Sequence, residues 1–360
     1  MSRVYDRPFA SSPPAAVSCS AKSDTTDYTH GYIGDLVLNS DGDKLYAVDQ
    51  IGFRLVVIDV TSKKLISSSR TGRYPFGIAL SPDEKSVYVA NVGMYEYKLI
   101  RIADSTAVAD KSKALGFPAY SYGSRESAEG LKNDTINIPG LGDPLSPDAF
   151  SIWAINVSDA TKPHVMAKVK TGFQIGDKME EVPAVGGSSP NSIVANDQYV
   201  FVSNGNNDCI SVIDLKSNKL LNNIKLNPES RLKGLRGIIP FGLALSPDKK
   251  TLYVAEAGIN AVAVIDAVNL KVLGHFPTGW FPSKIAVSKS GDKIYVANAK
   301  GYGSGPNGGI NFVRAAEGSN IGRLMKGTVS ISDKPGLSTL AAHSKKVIEN
   351  NFLIRNATDT

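Results

Sequence analysis

The sequence has few of the residues that usually hold metals, haem or disulfide frameworks. Its 360 residues contain two cysteines and four histidines. Cys19 and Cys209 lie far apart and neither belongs to a CxxC pair, which excludes a zinc knuckle, a c-type haem site and a disulfide scaffold. Cys209 follows a polar turn and starts an apolar segment, so we predict a small buried side chain there. The histidines occupy non-equivalent places along the chain and predict no metal cluster.

The sequence also lacks long apolar runs and dense clusters of positive charge. No run of about 18 apolar residues occurs, so no membrane-spanning helix is predicted. Residues 1–16 have no apolar core of the kind that a signal peptide needs. The net charge is +6 and the pI about 9.0, but Lys and Arg are spread over turns, where they keep strand edges solvated. Nucleic acid is therefore not predicted as a partner, and single-strand binding is only the third functional alternative.

Motifs of common catalytic sites are missing as well. No GxSxG, HExxH or P-loop motif occurs, and each of these supplies a nucleophile, a metal pair or a phosphate cradle at a fixed spacing. The Gly-rich stretch at residues 301–309 lacks the lysine and the strand-to-helix context of a phosphate-binding loop. We therefore interpret it as a loop and predict no catalytic residue.

What the sequence has in abundance is one repeated unit. A turn of the type Ser-Pro-Asp, followed by a strand of the type Tyr-Val-Ala-Asn, occurs five times, at residues 40–49, 81–91, 195–204, 246–256 and 290–298. The tyrosines of neighbouring copies, such as Tyr253 and Tyr295, are 42 residues apart. Further short apolar segments surround each copy and together suit four antiparallel strands. The pattern predicts an all-β fold, a β-propeller of four-stranded antiparallel blades, with five blades visible.

The repeat also sets the expected domain boundaries. Residues 1–30 are rich in Ser, Pro and Thr and form an irregular lead-in. The propeller spans residues 31–333. It carries insertions at residues 92–149 and 299–326, between the second and third strands of the second and fifth blades. A long segment without periodicity inside a compact domain is either functional or disordered.

The last blade predicted from the repeat is incomplete. Its third strand lies near residues 328–331, and no fourth strand follows. Instead, apolar spacing over residues 337–351 predicts an amphipathic helix, and residues 334–360 are assigned to this helix and a polar tail. An unclosed ring leaves bare sheet edges, so either residues 1–30 supply closing strands or the chain is part of a larger ring.

The Ser-Pro-Asp turn and the Tyr-Val-Ala-Asn strand resemble the YVTN repeat of YncE-like β-propellers. The similarity extends over residues 31–333 and includes five further stretches: 91–97, 187–191, 239–248, 255–262 and 278–282. Together they resemble the propeller half of bacterial proteins that join a YncE-like propeller to a phosphoesterase of the alkaline phosphatase superfamily. In that family a helix ending in two asparagines, here Asn350 and Asn351, precedes the phosphoesterase.

This resemblance implies a fold and a cellular context. It implies a ring of seven blades, a signal peptide and a periplasmic or secreted location. It also implies a phosphoesterase, as a domain or as a separate protein, as the partner of the propeller. The function that it favours is a non-catalytic ligand-binding or scaffold propeller of an exported bacterial protein.

Candidate binding residues lie where strands end at one mouth of the predicted channel. In a propeller, the loops that lead into first strands meet there with the loops between second and third strands, and small molecules bind in such concave places. The polar and aromatic residues expected on this face are Tyr74, Asn91, Asn191, Asn204, Asn206, Arg236, Glu256, Trp280, Lys284 and Asn298. A structural role is the alternative for each Asn, because Asn ends strands by bonding its own backbone.

Glu256 differs from the other residues at its place in the repeat, because three other copies have Asn there. An acid among amides suits a divalent cation such as Ca²⁺, so Glu256 is the best metal candidate, although no cofactor is predicted. It could equally pair with Arg236 or Lys284. The second functional alternative, a metal-dependent lactonase-like hydrolase at the channel mouth, would use Glu256 with three asparagines: Asn91, Asn204 and Asn298.

Overall fold

The computed structural model describes residues 31–96, 124–132, 137–184, 186–232, 234, 236–301, 303 and 325–352. The predicted lead-in at residues 1–30 and parts of both predicted insertions lie outside these ranges. Short antiparallel strands dominate the described chain, because their β-branched and aromatic residues fit pleated surfaces that are covered on both sides.

Four of the five blades are meanders of four antiparallel strands. Blade 1 contains β1 (Ile33–Leu38), β2 (Lys44–Asp49), β3 (Arg54–Asp59) and β4 (Lys64–Arg70). Blade 2 contains β5 (Pro75–Leu80), β6 (Ser86–Asn91), β9 (Ser151–Asn156) and β10 (His164–Lys170). Blade 3 contains β13 (Pro190–Ala195), β14 (Tyr199–Asn204), β15 (Cys209–Asp214) and β16 (Lys219–Lys225). Blade 4 contains β17 (Pro240–Leu245), β18 (Thr251–Glu256), β19 (Ala261–Asp266) and β20 (Lys271–Pro277).

Blade 5 has three described strands, and the remaining elements are small apart from one helix. Blade 5 contains β21 (Trp280–Val287), β22 (Lys293–Gly301) and β23 (Thr328–Asp333). The small elements are helix α1 (Arg125–Glu129), the hairpin β7 (Gly130–Lys132) with β8 (Asn137–Pro139), the hairpin β11 (Lys178–Met179) with β12 (Val182–Pro183), and a 3-10 turn (Ser230–Leu232). The C-terminal helix α2 covers Leu337–Asn351.

The fold class predicted from the repeat, an all-β propeller of four-stranded antiparallel blades, is confirmed. In blade 2, Asn91 of β6 pairs with Ser151 of β9, so the chain leaves the blade after its second strand and returns to form the third. No helix in the described part of the chain has the length and apolarity needed to cross a bilayer.

An apolar cluster lies between each two consecutive blades from blade 1 to blade 5. We call the side of a blade that packs on the next blade its front face, and the opposite side its rear face. One aromatic residue occupies the same place on the front face of every blade, in the second strand: Tyr46, Tyr88, Phe201, Tyr253 and Tyr295. The first four rings are buried. The repeated Tyr in the sequence is therefore a residue of the junctions between blades.

The described residues form no such cluster between blade 5 and blade 1. Val329, on the front face of blade 5, is 63% exposed, whereas the equivalent Val262 of blade 4 is 0% exposed. Leu36, on the rear face of blade 1, is 53% exposed, whereas the equivalent Ile78 of blade 2 is 6% exposed. We call this open junction the seam. Blades 1 to 5 thus form an arc with four packed junctions and one seam.

Helix α2 packs on β20, the outer strand of blade 4. The Ser344 hydroxyl accepts a hydrogen bond from the His275 backbone N–H at 2.9 Å, and Leu340 and Val347 are buried. Gly274 has a φ of +153°, and a Cβ there would lie 2.7 Å from Leu340 Cγ. Glycine therefore lets the helix approach the strand.

Candidate functional site

A β-bulge marks the start of the innermost strand in each blade. The register with the second strand shifts just after Ile33, Pro75, Pro190, Pro240 and Pro282. Bulges bend a strand and re-aim its side chains. Proline is tolerated at the first residue of a strand, where its missing N–H costs no ladder bond. The residues that follow these five positions meet at the centre of the arc.

There they line a central cavity of about 240 Å³ to which all five blades contribute. The lining residues are Gly34 and Asp35 of blade 1, Phe76 of blade 2, Asn191 and Ser192 of blade 3, Phe241 and Gly242 of blade 4, and Ser283 and Lys284 of blade 5. Cavities that hold drug-sized ligands measure roughly 300–1,000 Å³. This cavity is therefore of a size for one small molecule.

Two aromatic rings form the apolar part of the wall. Phe76 and Phe241 occupy equivalent places in blades 2 and 4, and their rings meet edge to face with centroids 5.9 Å apart. Such a T-shaped arrangement is favourable for aromatic pairs. Beside it the backbones of blades 4 and 5 approach closely, because a Cβ at Gly242 would lie 2.6 Å from the Ser283 carbonyl oxygen. The backbone beside the two rings is therefore closely packed.

An ion pair joins the two ends of the arc at the same cavity. Lys284 Nζ of blade 5 lies 3.5 Å from Asp35 Oδ2 of blade 1, and the two side chains are 61% and 29% exposed. Blades 2, 3 and 4 have small residues at this place in the repeat: Gly77, Ser192 and Gly242. Exposed ion pairs contribute only about 0–1 kcal/mol, so the charged groups of a ligand can replace one partner at low cost.

The polar groups of the wall are held by hydrogen bonds to neighbouring strands. Asn191 Nδ2 donates to the Pro240 carbonyl at 3.2 Å, and its Oδ1 accepts from the Ser203 hydroxyl at 2.7 Å. The Ser192 hydroxyl accepts from the Leu243 N–H at 3.3 Å. The Ser283 hydroxyl donates to a carbonyl at 3.2 Å. Among the described residues that line the cavity there is no His or Cys, so none of them supplies the histidine base that a Ser–His nucleophile needs.

Of the residues predicted for the mouth, Asn191 and Lys284 line the cavity. The asparagines at the ends of second strands, Asn91, Asn204 and Asn298, are buried. Each donates from Nδ2 to its own blade, as in the bonds from Asn204 to Ser211 Oγ (2.9 Å) and from Asn298 to Ser330 Oγ (2.8 Å). Their geometry matches the structural reading of Asn.

Glu256 is fully buried and faces His275 of its own blade. Its Oε2 lies 2.9 Å from His275 Nδ1, so its partner is this histidine and not Arg236 or Lys284. Burial raises the pKa of Glu256, against the charge and hydrogen bond of His275. In the described ranges, no group of three or more His, Cys, Asp and Glu residues lies close enough to hold a metal ion.

The other four predicted residues are not among those that line the cavity. Tyr74 packs edge to face on Phe53, with ring centroids 4.7 Å apart. Arg236 lies 3.7 Å from Glu180 and donates to the Met179 carbonyl. Asn206 Nδ2 donates to the Gly186 carbonyl at 3.2 Å, and Trp280 starts β21 with 44% of its surface exposed.

Sequence reasoning missed four residues of the cavity wall that carry polar or aromatic side chains: Asp35, Ser192, Phe241 and Ser283. A signal exists for Phe241, because Pro-Phe-Gly occurs twice at the start of a first strand, at residues 75–77 and 240–242. The residues after the proline point to the ring centre only because of the bulge. A simple alternation of strand residues does not reveal the bulge.

Comparison with known proteins concerns the fold alone. No protein-family model and no curated protein matches the chain. Solved structures that resemble it include a functionally unknown protein from Desulfotomaculum acetoxidans, with 12% identity and a TM-score of 0.48, covering 77% of this chain and 65% of that one. A catalytically inactive virginiamycin B lyase from Staphylococcus aureus with quinupristin has 12% identity and a TM-score of 0.45, covering 75% and 64%. The Cps50 (Swd1) β-propeller domain of Myceliophteria thermophila has 10% identity and a TM-score of 0.48, covering 77% and 65%. The chain thus spans somewhat less than two thirds of the length of each of these structures.

Proposed function

We propose that the chain is a non-catalytic propeller that binds one small molecule in the central cavity. The observation that carries this proposal is the convergence of all five bulged inner strands on one cavity of about 240 Å³. The wall combines two aromatic rings, an amide and one group of each charge, which is the mixture that small-molecule sites use. Residues from all five blades line this cavity. A surface depression formed by one blade is therefore a poorer candidate for the binding site.

The chemistry of the wall favours binding over catalysis. Among the described residues that line the cavity, the titratable side chains are Asp35 and Lys284, whose charged groups lie 3.5 Å apart. The hydroxyls of Ser192 and Ser283 are engaged with backbone groups. A nucleophile needs an adjacent base, and a hydrolytic metal needs several oxygen or nitrogen ligands at one point. The described wall supplies neither arrangement.

The same wall indicates the class of ligand. Asp35 can accept hydrogen bonds from an ammonium group, and Lys284 can donate to a carboxylate or a similar anion. The edges and faces of Phe76 and Phe241 offer contact area to a small apolar group. A small zwitterion with an aliphatic or aromatic part therefore fits best. Sugars and nucleosides, which lack the paired charges, fit less well.

A cavity-filling variant tests the proposal. Ser283→Phe adds in blade 5 the ring that blades 2 and 4 already have at this place, and it should occupy the cavity. Ser158→Phe, an exposed position in a turn at the other end of blade 2, is the matched control. The probes are the free amino acids at millimolar concentration, assayed by thermal shift, because a ligand that binds only the folded state raises Tm.

We expect at least one amino acid with an apolar side chain to raise the Tm of the wild type and of Ser158→Phe, but not that of Ser283→Phe. A Tm increase that persists in Ser283→Phe contradicts the central cavity as the site. The absence of any increase in the wild type across the whole set contradicts the zwitterion as the ligand class.

We further propose that the propeller works in an exported bacterial protein, next to a phosphoesterase. The support is the resemblance of the YVTN-type repeat and of the helix that ends in Asn350 and Asn351. Helix α2 docks on blade 4, where Asn351 Nδ2 donates to the Ile259 carbonyl. Antibody capture from periplasmic extract should co-purify phosphatase activity, and recovery of the chain from the cytoplasm alone contradicts the proposal.

A further inference from the structure

The two connections that flank blade 3 are longer than the fold requires. Residues 71–74 are enough to join the last strand of blade 1 to the first strand of blade 2. The equivalent connections at residues 171–189 and 226–239 are several times longer. The first of them carries the hairpin of β11 and β12, which pair with each other and with no blade in the described ranges. Long connections on a rigid scaffold are frequent places of binding residues.

The turn of this hairpin is strained. Its two residues, Glu180 and Glu181, have φ values of +50° and +67°. Two-residue hairpin turns of this kind favour Asn and Gly, which tolerate positive φ, whereas glutamate avoids this region of the backbone. Strained backbone persists only where surrounding contacts hold it in place, and it is concentrated at ligand clamps and switch regions. The contacts of the two glutamates therefore show what holds the turn.

The carboxylate of Glu180 lies in a cradle of donors. Its Oε1 accepts from Lys225 Nζ at 2.8 Å, and its Oε2 accepts from the Gly234 backbone N–H at 2.8 Å and lies 3.7 Å from Arg236 Nη1. The Glu180 side chain is 10% exposed, whereas that of Glu181 is 91% exposed. The hydrogen bond from Lys225 is the largest of the effects that lower the pKa of Glu180, so this carboxylate is charged at neutral pH. A lysine, an arginine and a backbone N–H are the donors that proteins use for carboxylates and phosphates.

We propose that Lys225, Gly234 and Arg236 form a binding site for a small oxyanion, a carboxylate or a phosphate, and that Glu180 occupies this site as an internal competitor. An external anion takes the place of the Glu180 carboxylate and thereby releases the strained turn. The cradle is distinct from the central cavity, because the two share no lining residue in the described ranges. The proposal therefore does not depend on the ligand of that cavity.

The space around the cradle favours exchange of one anion for another over simultaneous binding. A cavity of about 20 Å³ lies beside Glu180. This volume holds about one water molecule and is too small for a phosphate, so a ligand enters only when Glu180 leaves. The other charged residues that line this cavity are Lys225, Arg236 and Asp208, and Asp208 accepts from two backbone N–H groups at 2.8 and 2.9 Å. Removal of Glu180 thus leaves an excess of positive charge.

The turn can leave the cradle without disturbing a blade. On one side the buried Met179 side chain anchors β11. On the other side two asparagines of blade 3 donate to the carbonyls of Gly186 and Gly187 at 3.2 Å, so the chain is fixed again before β13. Arg236 Nη2 also donates to the Met179 carbonyl at 3.1 Å, so an anion that engages the guanidinium competes with both contacts of the hairpin. Movement is thereby confined to the turn and its two short strands.

Substitution of the internal competitor tests the proposal. Glu180→Gln keeps the shape of the side chain and removes its charge, and Glu181→Gln is the matched control in the same turn. Inorganic phosphate and acetate are titrated into both variants and the wild type by calorimetry, and the anion that binds more tightly identifies the ligand as a phosphate or a carboxylate. We expect Glu180→Gln to bind this anion roughly tenfold more tightly than the wild type and Glu181→Gln, because apparent affinity falls with the fraction of sites that are already closed. Adding Arg236→Gln to Glu180→Gln should abolish the gain.

Hydrogen exchange in the wild type gives a second measurement that does not depend on any variant. The same anion at saturation should accelerate amide exchange in residues 178–184, because the released turn opens locally, and should leave β10 unchanged. Equal affinities of the wild type, Glu180→Gln and Glu181→Gln overturn the proposal, as does a gain in affinity that survives Arg236→Gln. Unchanged or slower exchange across residues 178–184 also overturns it, because the turn then stays in the cradle.

Discussion

At the scale of single residues, the buried polar side chain that ends the second strand finds different hydrogen-bond partners in different blades. In blade 3, Asn204 Nδ2 donates to Ser211 Oγ at 2.9 Å, and this hydroxyl donates to Asn223 Oδ1 at 2.6 Å. In blade 4 the residue between is Ala263, which has no hydroxyl to bridge the gap. The longer Glu256 and His275 side chains reach across it and meet directly at 2.9 Å. Three residues of blade 3, Asn204, Ser211 and Asn223, thus correspond to three different residues of blade 4: Glu256, Ala263 and His275. We call each of these sets a trio.

The Glu256–His275 pair makes stability depend on pH. Burial raises the pKa of Glu256, although His275 opposes the shift. Burial alone lowers the pKa of His275, but the charge and hydrogen bond of Glu256 outweigh it and raise that pKa. Both groups thus bind protons more tightly in the folded state than in the unfolded state. This contribution to stability is complete when the pH lies below the pKa of each group in the unfolded chain, 4.5 for Glu256 and 6.5 for His275. It is lost as the pH rises through the higher pKa that each group has in the folded state.

Transplanting the trio of blade 3 into blade 4 should remove this pH dependence. The triple variant Glu256→Asn, Ala263→Ser and His275→Asn keeps the hydrogen bonds and removes both titrating groups. The free energy of unfolding is measured with urea from about pH 5 to pH 9. Over this range the wild type should lose stability relative to the variant, on the order of 1 kcal/mol for each pH unit by which folding raises the pKa of Glu256 or His275. Parallel curves for the two proteins would falsify the coupling. Glu256→Asn alone is the control, since it leaves His275 buried without its partner and should destabilise the fold.

At the scale of elements, Arg73 holds the ends of the long insertion in blade 2 together. Its Nη1 donates to the carbonyls of Met94 and Asp143, at 2.6 and 2.9 Å. These residues lie on the two sides of the insertion, which leaves after Asn91 and returns before Ser151. Lys170 adds two bonds, to the carbonyls of Ser146 and Ala149, and burial lowers its pKa to about 8. A buried guanidinium and a half-buried ammonium thus fix the returning segment.

Replacing Arg73 should loosen the insertion without unfolding the blade. Arg73→Gln is too short to reach both carbonyls, and each buried carbonyl left without a donor costs about 1–3 kcal/mol. Hydrogen exchange should accelerate at residues 93–96 and 141–150 and remain unchanged in β5 and β6. Arg70→Gln, an exposed arginine at the end of β4, is the matched control. Equal protection of these segments in both variants argues against the clamp.

The sequence predicts well the strands that all blades share, and it predicts poorly the contacts that occur in one or two blades only. The strands follow from the Tyr-Val-Ala-Asn pattern because every junction needs the same aromatic and aliphatic residues. The residues of the cavity cannot be predicted from this pattern. A bulge follows Pro75 and Pro240, and it changes which side chains of the first strand point to the cavity, so simple alternation assigns them to the wrong side. The partner of Glu256 was missed for a related reason. His275 lies two strands away, and the contact depends on the small side chain of Ala263 between them.

At the scale of the whole molecule, the blades differ in how many of their faces are covered. Blades 2, 3 and 4 have a neighbour on both sides, whereas blades 1 and 5 each border the seam. Along the seam, Val329 and Ile331 of blade 5 and Leu36 of blade 1 are exposed. Local opening is favoured where few apolar contacts hold a unit in place. The two end blades should therefore be the first to open.

The repeated tyrosine of the front face allows this difference to be measured. Tyr253 is 0% exposed between blades 4 and 5, whereas Tyr295, its equivalent in blade 5, is 38% exposed at the seam. Truncating a buried aromatic ring costs about 3–5 kcal/mol, because apolar area is lost and a cavity remains. Truncation at an exposed position usually changes stability by about 0.5 kcal/mol or less. We therefore expect Tyr253→Ala to be strongly destabilising in urea unfolding and Tyr295→Ala to be nearly neutral.

The two variants make the same chemical change at the same place in the repeat, so the difference between them reports only on what covers the ring. If Tyr295→Ala destabilises the protein as much as Tyr253→Ala, the front face of blade 5 is covered in solution by a further sheet, and the arc of five blades is part of a larger ring. If only Tyr253→Ala is destabilising, the front face of blade 5 is uncovered in solution, as the exposure of Tyr295 indicates.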